Sequence, residues 1–556
     1  MRLPVVQSLV YKGNMMGQGV AVSGSGEGRQ AVISKSSLGL RLASLERVAP
    51  RLLVALIILW VLVIFAASVY KYETFGQGYD QVDFEQAIWN TTQGHPMEDS
   101  RFNFTGSVFG MDWMPMLFFF VPFYAVIPSA HTLSFLQILG AALGAIPVYW
   151  LTRDKLGSKL AGVGFGAAYL LYPVLLHGVL NPFQVRLFSV SLLLFAFYYF
   201  EKANWKLFWA FALIAMLARS DVAFVVAMFG VYGLLMRRKW PYVVLPLLIG
   251  FGYFALSTFL IVPSFAYPRA FSAPPGPIDD PMKCWPCGLN PQLAYYGHLG
   301  RTGPEIIIHI ITHPLDTAQL IFTLPKIEYM VSLLLPLLFL PLLGPRPLVL
   351  GLPILALNLL STREAQFDYQ HHYSLLLIPG IFAAAVYGTD NIRRWLARRR
   401  ARSGSDEDDS YSYSFVRWGA LALVVWALLM QVPYKNPAVR AFLYPEPPAR
   451  VAAAKALIQM VPPEAKVAAS SKMAPRLLPR RYIYNFPPAP YSPYNFGDNT
   501  RPDYVNLDYI LVDTGASALD VEANKIGEKT GLEVLESLPE WHLVAEKESI
   551  RLYKRQ

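Results

Sequence analysis

The chain has 556 residues, of which 54% are hydrophobic, 14% aromatic and only 15% charged. Soluble domains carry about a quarter charged residues, so the composition excludes an ordinary soluble enzyme and points to a polytopic α-helical membrane protein. The formal net charge of +10 does not announce a nucleic-acid partner. The basic residues gather in short loops between apolar runs, which is the pattern of membrane topology.

Residues 1–50 lack a compact apolar core with a cleavage site. The Gly/Ser-rich "GQGVAVSGSGEGRQ" within them reads as part of a flexible cytoplasmic tail. Apolar runs of bilayer-spanning length then recur, giving about eleven transmembrane helices. They lie near 52–70, 131–152, 158–179, 187–201, 205–218, 221–236, 241–264, 327–343, 347–361, 373–389 and 415–431. The run 113–129 is apolar but carries Pro115, Pro122 and Pro128, and reads as a re-entrant or interfacial helix. The domain reading is therefore a tail (1–50), a transmembrane domain (51–431) and a C-terminal region (432–556).

Sorting the loops by charge fixes an expected orientation. One set holds Arg153, Lys155 and Lys159, then Lys202 and Lys206, Arg237–Lys239, Arg346 and "RRWLARRRAR" at 393–402. The positive-inside rule assigns these to the cytoplasm. The other set, including the large loops 71–130 and 265–326, becomes extracytoplasmic, as does everything after 432. Its short loops carry Arg186, then Arg219 with Asp221, Arg363 with Glu364 and Asp368, and His371 with His372. Charges are costly in a bilayer. Two readings of Arg219 and Asp221 stay open: a cavity for a polar, anionic group, or a local ion pair tying two helix ends.

Beyond 432 the pattern changes to a small extracytoplasmic α/β domain. "AAAKALIQMVPPEAKVAAS" reads as helix, turn and strand; "RRYIYNF" and "LDYILVD" read as strands; "HLVAEKESIRLYKR" reads as a hairpin. "DTGAS" at 513–517 reads as a strand end and turn, since aspartic-protease chemistry needs two carboxylates sharing a proton. The two cysteines, Cys284 and Cys287 in "KCWPCG", suit a local disulfide in the 265–326 loop; one pair cannot build a four-thiolate zinc site. His309 and His313 lie on "PEIIIHIITHP", which reads as a helix on the membrane surface.

Just beyond the first span, "GYDQVDFEQAIWNTTQGH" places Tyr79, Asp80, Asp83, Phe84, Glu85, Gln86, Trp89, Asn90 and Gly94. This stretch resembles the opening motif of a prokaryotic membrane-protein family, domain of unknown function 2079, with Glu85 where the motif has a second Asp. "LLYPVL" (170–175), "LARSDVAF" (217–224), "HHYSLLLIPGIFAAAVYG" (371–388), "RRYIYNFP" and "DYILVD" follow in the family's order, with Ser220 replacing a Glu. Asp112-Trp113-Met114-Pro115 stands where the family often has His-Phe-x-Pro, and Phe183-Gln184-Val185-Arg186 where it often has Phe-His-Pro-Glu.

The family looks related to the GT-C glycosyltransferases. The resemblance implies a GT-C-like fold and transfer of a sugar from a polyprenyl-phosphate carrier in the membrane lipid to an acceptor at the outer face. Carried over, Asp80 is the general base, with Glu85 as its rival. Arg219 is the main phosphate contact, with Arg363 and His372 beside it. Asp83, Asp112, Arg186, Asp221, His371, Tyr79 and Trp89 complete the substrate-binding set. The resemblance fixes no cofactor, and a divalent cation stays open, since Asp80, Asp83 and Glu85 are of the type that holds Mg²⁺ or Mn²⁺. For Asp80 a helix N-cap, and for the aromatics an interfacial belt, remain the competing readings. A transporter or lipid flippase, and a catalytically inactive scaffold, remain the competing functions.

Overall fold

The structure is a computed structural model and describes residues 26–78, 80–100, 106–265, 295–300, 302–402, 409–486, 507–515 and 531–556. Tyr79, Cys284 and Cys287 lie outside them. The chain divides into two compact units, Met1–Val48 and Ala49–Gln556. Helix α1 (Gly26–Glu73) begins inside the stretch expected to be a flexible tail. Beyond Gly28 the segment is rich in Leu, Ala and Arg and meets no proline before Pro50, so nothing in it stops a helix.

In the second unit α2 (Asp80–Thr92), α3 (Leu117–Val126), α4 (Ala130–Ala142), α5 (Ala145–Leu156), α6 (Lys159–Leu170), α7 (Pro173–Leu180), α8 (Arg186–Glu201), α9 (Trp205–Met216), α10 (Val222–Leu235) and α11 (Pro241–Leu256) follow in order. Four helices are long and apolar enough to cross a bilayer: Leu45–Glu73, Ala130–Leu156, Pro241–Ser264 and His372–Arg402. Two bent pairs, α6 with α7 (49°) and Pro314–Ile321 with Leu324–Leu337 (64°), bring the number to six if each is one span. Shorter apolar helices occupy most of the remaining runs. The chain is a multi-pass membrane protein, and side chains such as Leu59, Leu62, Leu248 and Leu260 present its exposed apolar surface. Helix α3 has only ten residues.

The run expected as one helix over 327–343 is broken. An α-helix ends at Leu334, and 3₁₀ turns follow at Leu335–Leu337 and Leu340–Leu343. Leu338 and Phe339 between them take the left-handed conformation. Pro336 and Pro341 lack the N–H that would continue the helical ladder. Close helix contacts rest on glycine, as they do where lipid supplies no hydrophobic drive between helices. A Cβ on Gly388 would stand 2.0 Å from the Leu340 carbonyl oxygen, and one on Gly230 2.3 Å from that of Val243.

The C-terminal residues form one five-stranded sheet in the order β2-β1-β3-β5-β4. Strands β1 (Val467–Ala469), β2 (Ile483–Asn485) and β3 (Tyr509–Asp513) are parallel. Strands β4 (Trp541–Lys547) and β5 (Ile550–Arg555) form an antiparallel hairpin that turns through Glu548 and Ser549, both at positive φ. Alternate residues serve opposite faces, as the period of two requires. Val467, Ala469, Leu511, Ile550 and Leu552 pack on one side with Phe75 and Val82, and Ala468, Ile510, Val512 and Tyr553 pack on the other. Asp513 closes β3, accepts from the Gly515 N–H at 3.1 Å and pairs with Arg450. The sheet thus rests on the segment that joins α1 to α2, the stretch that carries Asp80.

Candidate functional site

Four charged side chains from three separate stretches meet at one end of the helix bundle. Asp112 follows a 3₁₀ turn, Val108–Gly110, capped by the Ser107 hydroxyl. Arg186 is the first residue of α8. Arg219 and Asp221 flank Ser220 in the turn between α9 and α10. Backbone pairing of Met116 N–H with Leu217 O (2.9 Å) stitches the first stretch to the third. The Ser220 N–H donates to Asp112 Oδ1 at 3.2 Å.

Arg219 Nε lies 2.6 Å from Asp112 Oδ2 and 3.7 Å from Asp221 Oδ2. Asp221 takes its closest ion pair from Arg186, whose Nη1 also donates to the His372 carbonyl at 3.4 Å. The strongest pairs are therefore long-range, and the sequence-local Arg219–Asp221 contact is the weakest. Asp112 and Arg186 thus supply the closest partners of Arg219 and Asp221.

Tyr373 joins a third cation to this group. The guanidinium carbons of Arg186 and Arg363 stand 5.8 and 5.4 Å from its ring centroid. Arg363 is exposed, lies 5.1 Å from the Tyr295 ring and donates to the Tyr295 hydroxyl at 3.3 Å. Two arginines cancel two aspartates, and among the described residues no carboxylate pairs with Arg363. Buried Arg186 Nε, Arg219 Nε, Ser220 Oγ and Asp221 Oδ1 make no hydrogen bond among the described residues, although Arg219 Nε has its ion pair with Asp112. Such groups are rare in folded proteins and call for an explanation, a bound ligand or water among them.

Asp80 opens α2 and is half-buried. Gly78, two residues before it, borders Pro182 and Ser471: a Cβ there would stand at ordinary contact distance, 3.8 Å from Pro182 Cγ and 4.0 Å from Ser471 Oγ. Asp80 therefore lies beside the loop that leads into Arg186. Glu85 does not share its face. Five residues along an α-helix turn the side chain by about 140°, and Glu85 points into the protein, 2% exposed. It accepts from Gln81 Nε2 at 3.1 Å and from the Tyr124 hydroxyl at 2.9 Å. Burial pushes its carboxyl up to about 7, against the two hydrogen bonds that favour the charged form.

The geometry corrects the cation option for Asp80, Asp83 and Glu85, because the helix turns Glu85 away. Among the described residues no group of three His, Cys, Asp or Glu side chains could hold a metal ion. Asp83 is buried, and Trp89 packs partly buried against the core of the bundle. His371 Nδ1 lies 2.9 Å from Asp368 Oδ2. Burial would raise the Asp368 carboxyl, but the His371 hydrogen bond and the Gln370 N–H hold it below its usual range. Sequence reasoning missed Gln81, Tyr124, Gln137, Tyr295 and Tyr373. A glutamine inside an apolar run, as in "TLSFLQILG", is itself a signal, since polar side chains in membrane helices find partners.

Solved structures share this architecture. "Crystal Structure of ArnT from Cupriavidus metallidurans in the apo state" matches with a TM-score of 0.50 at 12% identity, covering 89% of this chain and 97% of that one. The fold is GT-C-like. Among curated proteins none matches the sequence. The family described as "Predicted membrane protein (DUF2079)" matches over residues 71–549, and the chain belongs to that family.

Proposed function

We propose that the protein is a membrane glycosyltransferase that moves a sugar from a polyprenyl-phosphate donor to an acceptor hydroxyl. The observation that carries this reading is the arginine cluster with unspent polar atoms, set beside the loop that also flanks Asp80. In the reaction the acceptor oxygen attacks the anomeric carbon and its proton passes to Asp80. The bond from that carbon to the phosphate oxygen breaks, and the phosphate leaves with the electron pair. Configuration inverts. Fixed cations aimed at the charge that grows on the leaving group lower the barrier most effectively. Arg219 is already engaged by Asp112 and Asp221, so Arg363 makes the first phosphate contact, with Arg219 and Arg186 behind it. A guanidinium matches phosphate in shape and keeps its charge at any physiological pH.

In this reading the eleven-span topology places the tail and residues 390–412 in the cytoplasm, and the site and the C-terminal sheet outside. Single cysteines at Ala401 and Ser537, in a background without the two native ones, test the orientation. An impermeant reagent should label Ser537→Cys and not Ala401→Cys in intact cells. The transporter reading draws on the two bent helix pairs, a feature of carriers. Against it, the charges gather at the first residue of α8 rather than midway along a span. The deciding experiment is sugar transfer in proteoliposomes from a panel of lipid-linked donors. Absence of transfer from every donor overturns the enzyme reading.

A further inference from the structure

The chain from the last turn of α7 to α8 has to keep its backbone polar groups satisfied in apolar surroundings, and five of its contacts come from side chains. Lys71 Nζ donates to the Leu180 carbonyl at 2.7 Å. Gln137 Nε2 donates to the carbonyls of Val179 (3.2 Å) and Asn181 (3.5 Å), and Gln137 Oε1 accepts from the Gln184 N–H at 2.6 Å. Gln81 Oε1 accepts from the Phe183 N–H at 2.8 Å. Both glutamines are 1% exposed. Arg186 follows at once.

We propose that Glu85 is a positioning residue, not a proton acceptor: through Gln81 it fixes the loop that aims Arg186 at the donor phosphate. The argument is one of donors and acceptors. Because the Phe183 N–H needs an oxygen, the Gln81 amide must turn its NH₂ the other way. There Glu85 Oε2 receives it, and the Tyr124 hydroxyl holds Oε1. Enclosed by these two and facing away from Asp80, Glu85 has no path to an acceptor hydroxyl. Its role survives loss of charge. A neutral carboxyl still accepts from Gln81 and donates its proton to the Tyr124 oxygen. A glutamine at this position can do the same with its carbonyl and its NH₂. An alanine cannot.

The consequence for catalysis rests on the glycosyl-transfer reading; the clamp itself does not, and the experiment separates them. Hydrogen exchange at the Phe183 and Gln184 amides needs no substrate. The Phe183 amide should be equally slow in the native protein and in Glu85→Gln. It should exchange about tenfold or more faster in Glu85→Ala and in Gln81→Ala, the cost of a buried donor losing its acceptor. Equal rates in all four proteins overturn the clamp. With a donor in hand, Glu85→Ala should raise the KM for donor about tenfold with a smaller change in kcat, and Glu85→Gln should restore it. If Glu85→Gln loses turnover as completely as Asp80→Asn, Glu85 is a base and the proposal fails. If no donor is turned over by the native protein, the transfer reading falls while the exchange result still decides the clamp.

Discussion

Helix α8 carries a charge cluster at each end, about 22 Å apart at 1.5 Å per residue, and the two are built differently. At its last residue, Glu201 receives Lys155 Nζ (3.1 Å), the Tyr232 hydroxyl (2.9 Å) and the Tyr387 hydroxyl, while Arg238 donates to its carbonyl (3.0 Å). Beside it Asp154 takes Arg153 Nε (2.7 Å), Lys202 and the Tyr198 hydroxyl (3.1 Å). None of these side chains leaves a buried polar atom without a partner. At the first residue of α8, the Arg186 cluster leaves four buried polar atoms without a hydrogen bond and borders an exposed arginine. A satisfied network pins helices together. An unsatisfied one keeps capacity for something that arrives later. The same helix thus separates a structural end from a candidate reactive end.

The largest effect expected is at Asp80. Asp80→Asn keeps the shape and removes the base, so turnover should fall by about 10²–10⁴-fold while donor binding persists. Near-normal turnover would remove Asp80 from the mechanism. The converse test is at the other end of α8. Glu201→Ala strips a buried carboxylate from its cations and should destabilise the fold by about 3–5 kcal/mol, read as a lower melting temperature in detergent. Turnover per folded molecule should stay within about threefold, since truncating a structural partner leaves the transition state untouched. A tenfold loss per folded molecule would erase the distinction between the two ends.

Within the reactive end, the arginines should separate by how much of each is already committed. Arg363→Ala removes a cation that stacks on two tyrosines and faces solvent, so donor affinity should fall about 10–100-fold, the worth of a hydrogen bond to a charged group, with little change in melting temperature. Arg219→Ala strands Asp112 and should cost stability as well as affinity. Calorimetric titration with a lipid-phosphate headgroup and thermal melts of both variants would decide. Equal affinity losses at equal stability would mean that the exposure of Arg363 has no bearing on which arginine meets the donor.

Much of this was legible from residue order. The run read as 241–264 is the helix Pro241–Ser264, and the expected hairpin at "HLVAEKESIRLYKR" is the β4–β5 pair. Hydropathy and period-two alternation are local properties, and local structure follows them. The 327–343 run failed because hydropathy ignores the N–H groups that Pro336 and Pro341 lack. The site was legible as a list of charges but not as pairs. Arg219 and Asp221 left open a cavity or a local ion pair; the fold keeps their contact at 3.7 Å but joins each more closely to Asp112 and Arg186, across 107 and 35 positions of the chain. Asp112 and Arg186 each meet an opposite charge, so the cluster stays electrically balanced. The position of Gln137 in an apolar run signalled that it would find a partner, but an amide does not announce which, and the partners of Gln81, Gln86 and Gln137 came only with the fold.

The smallest effect expected lies where the sheet meets the segment around α2, which holds a buried contact and an exposed one side by side. Ser100 is the buried one: its hydroxyl donates to the Ile483 carbonyl (2.6 Å) and accepts from the Ile483 N–H (3.0 Å) and Gln86 Nε2 (2.8 Å). Ser100→Ala would leave the buried Gln86 amide and a strand N–H short of an acceptor, at a cost of about 1–3 kcal/mol. Two positions along the same strand stretch, Arg481 reaches Glu98 at 3.1 Å with 41% of its side chain exposed. That pair is solvated in both folded and unfolded chains, and holding two long side chains together has its own entropy cost. Arg481→Ala should therefore lower stability by only about 0.2–1 kcal/mol. The difference should shrink further in 1 M salt, where charges are screened within about 3 Å. Melting curves of the two variants at low and high salt measure both. A salt-independent loss at Arg481 as large as that at Ser100 would show that the exposed pair carries the attachment of the sheet.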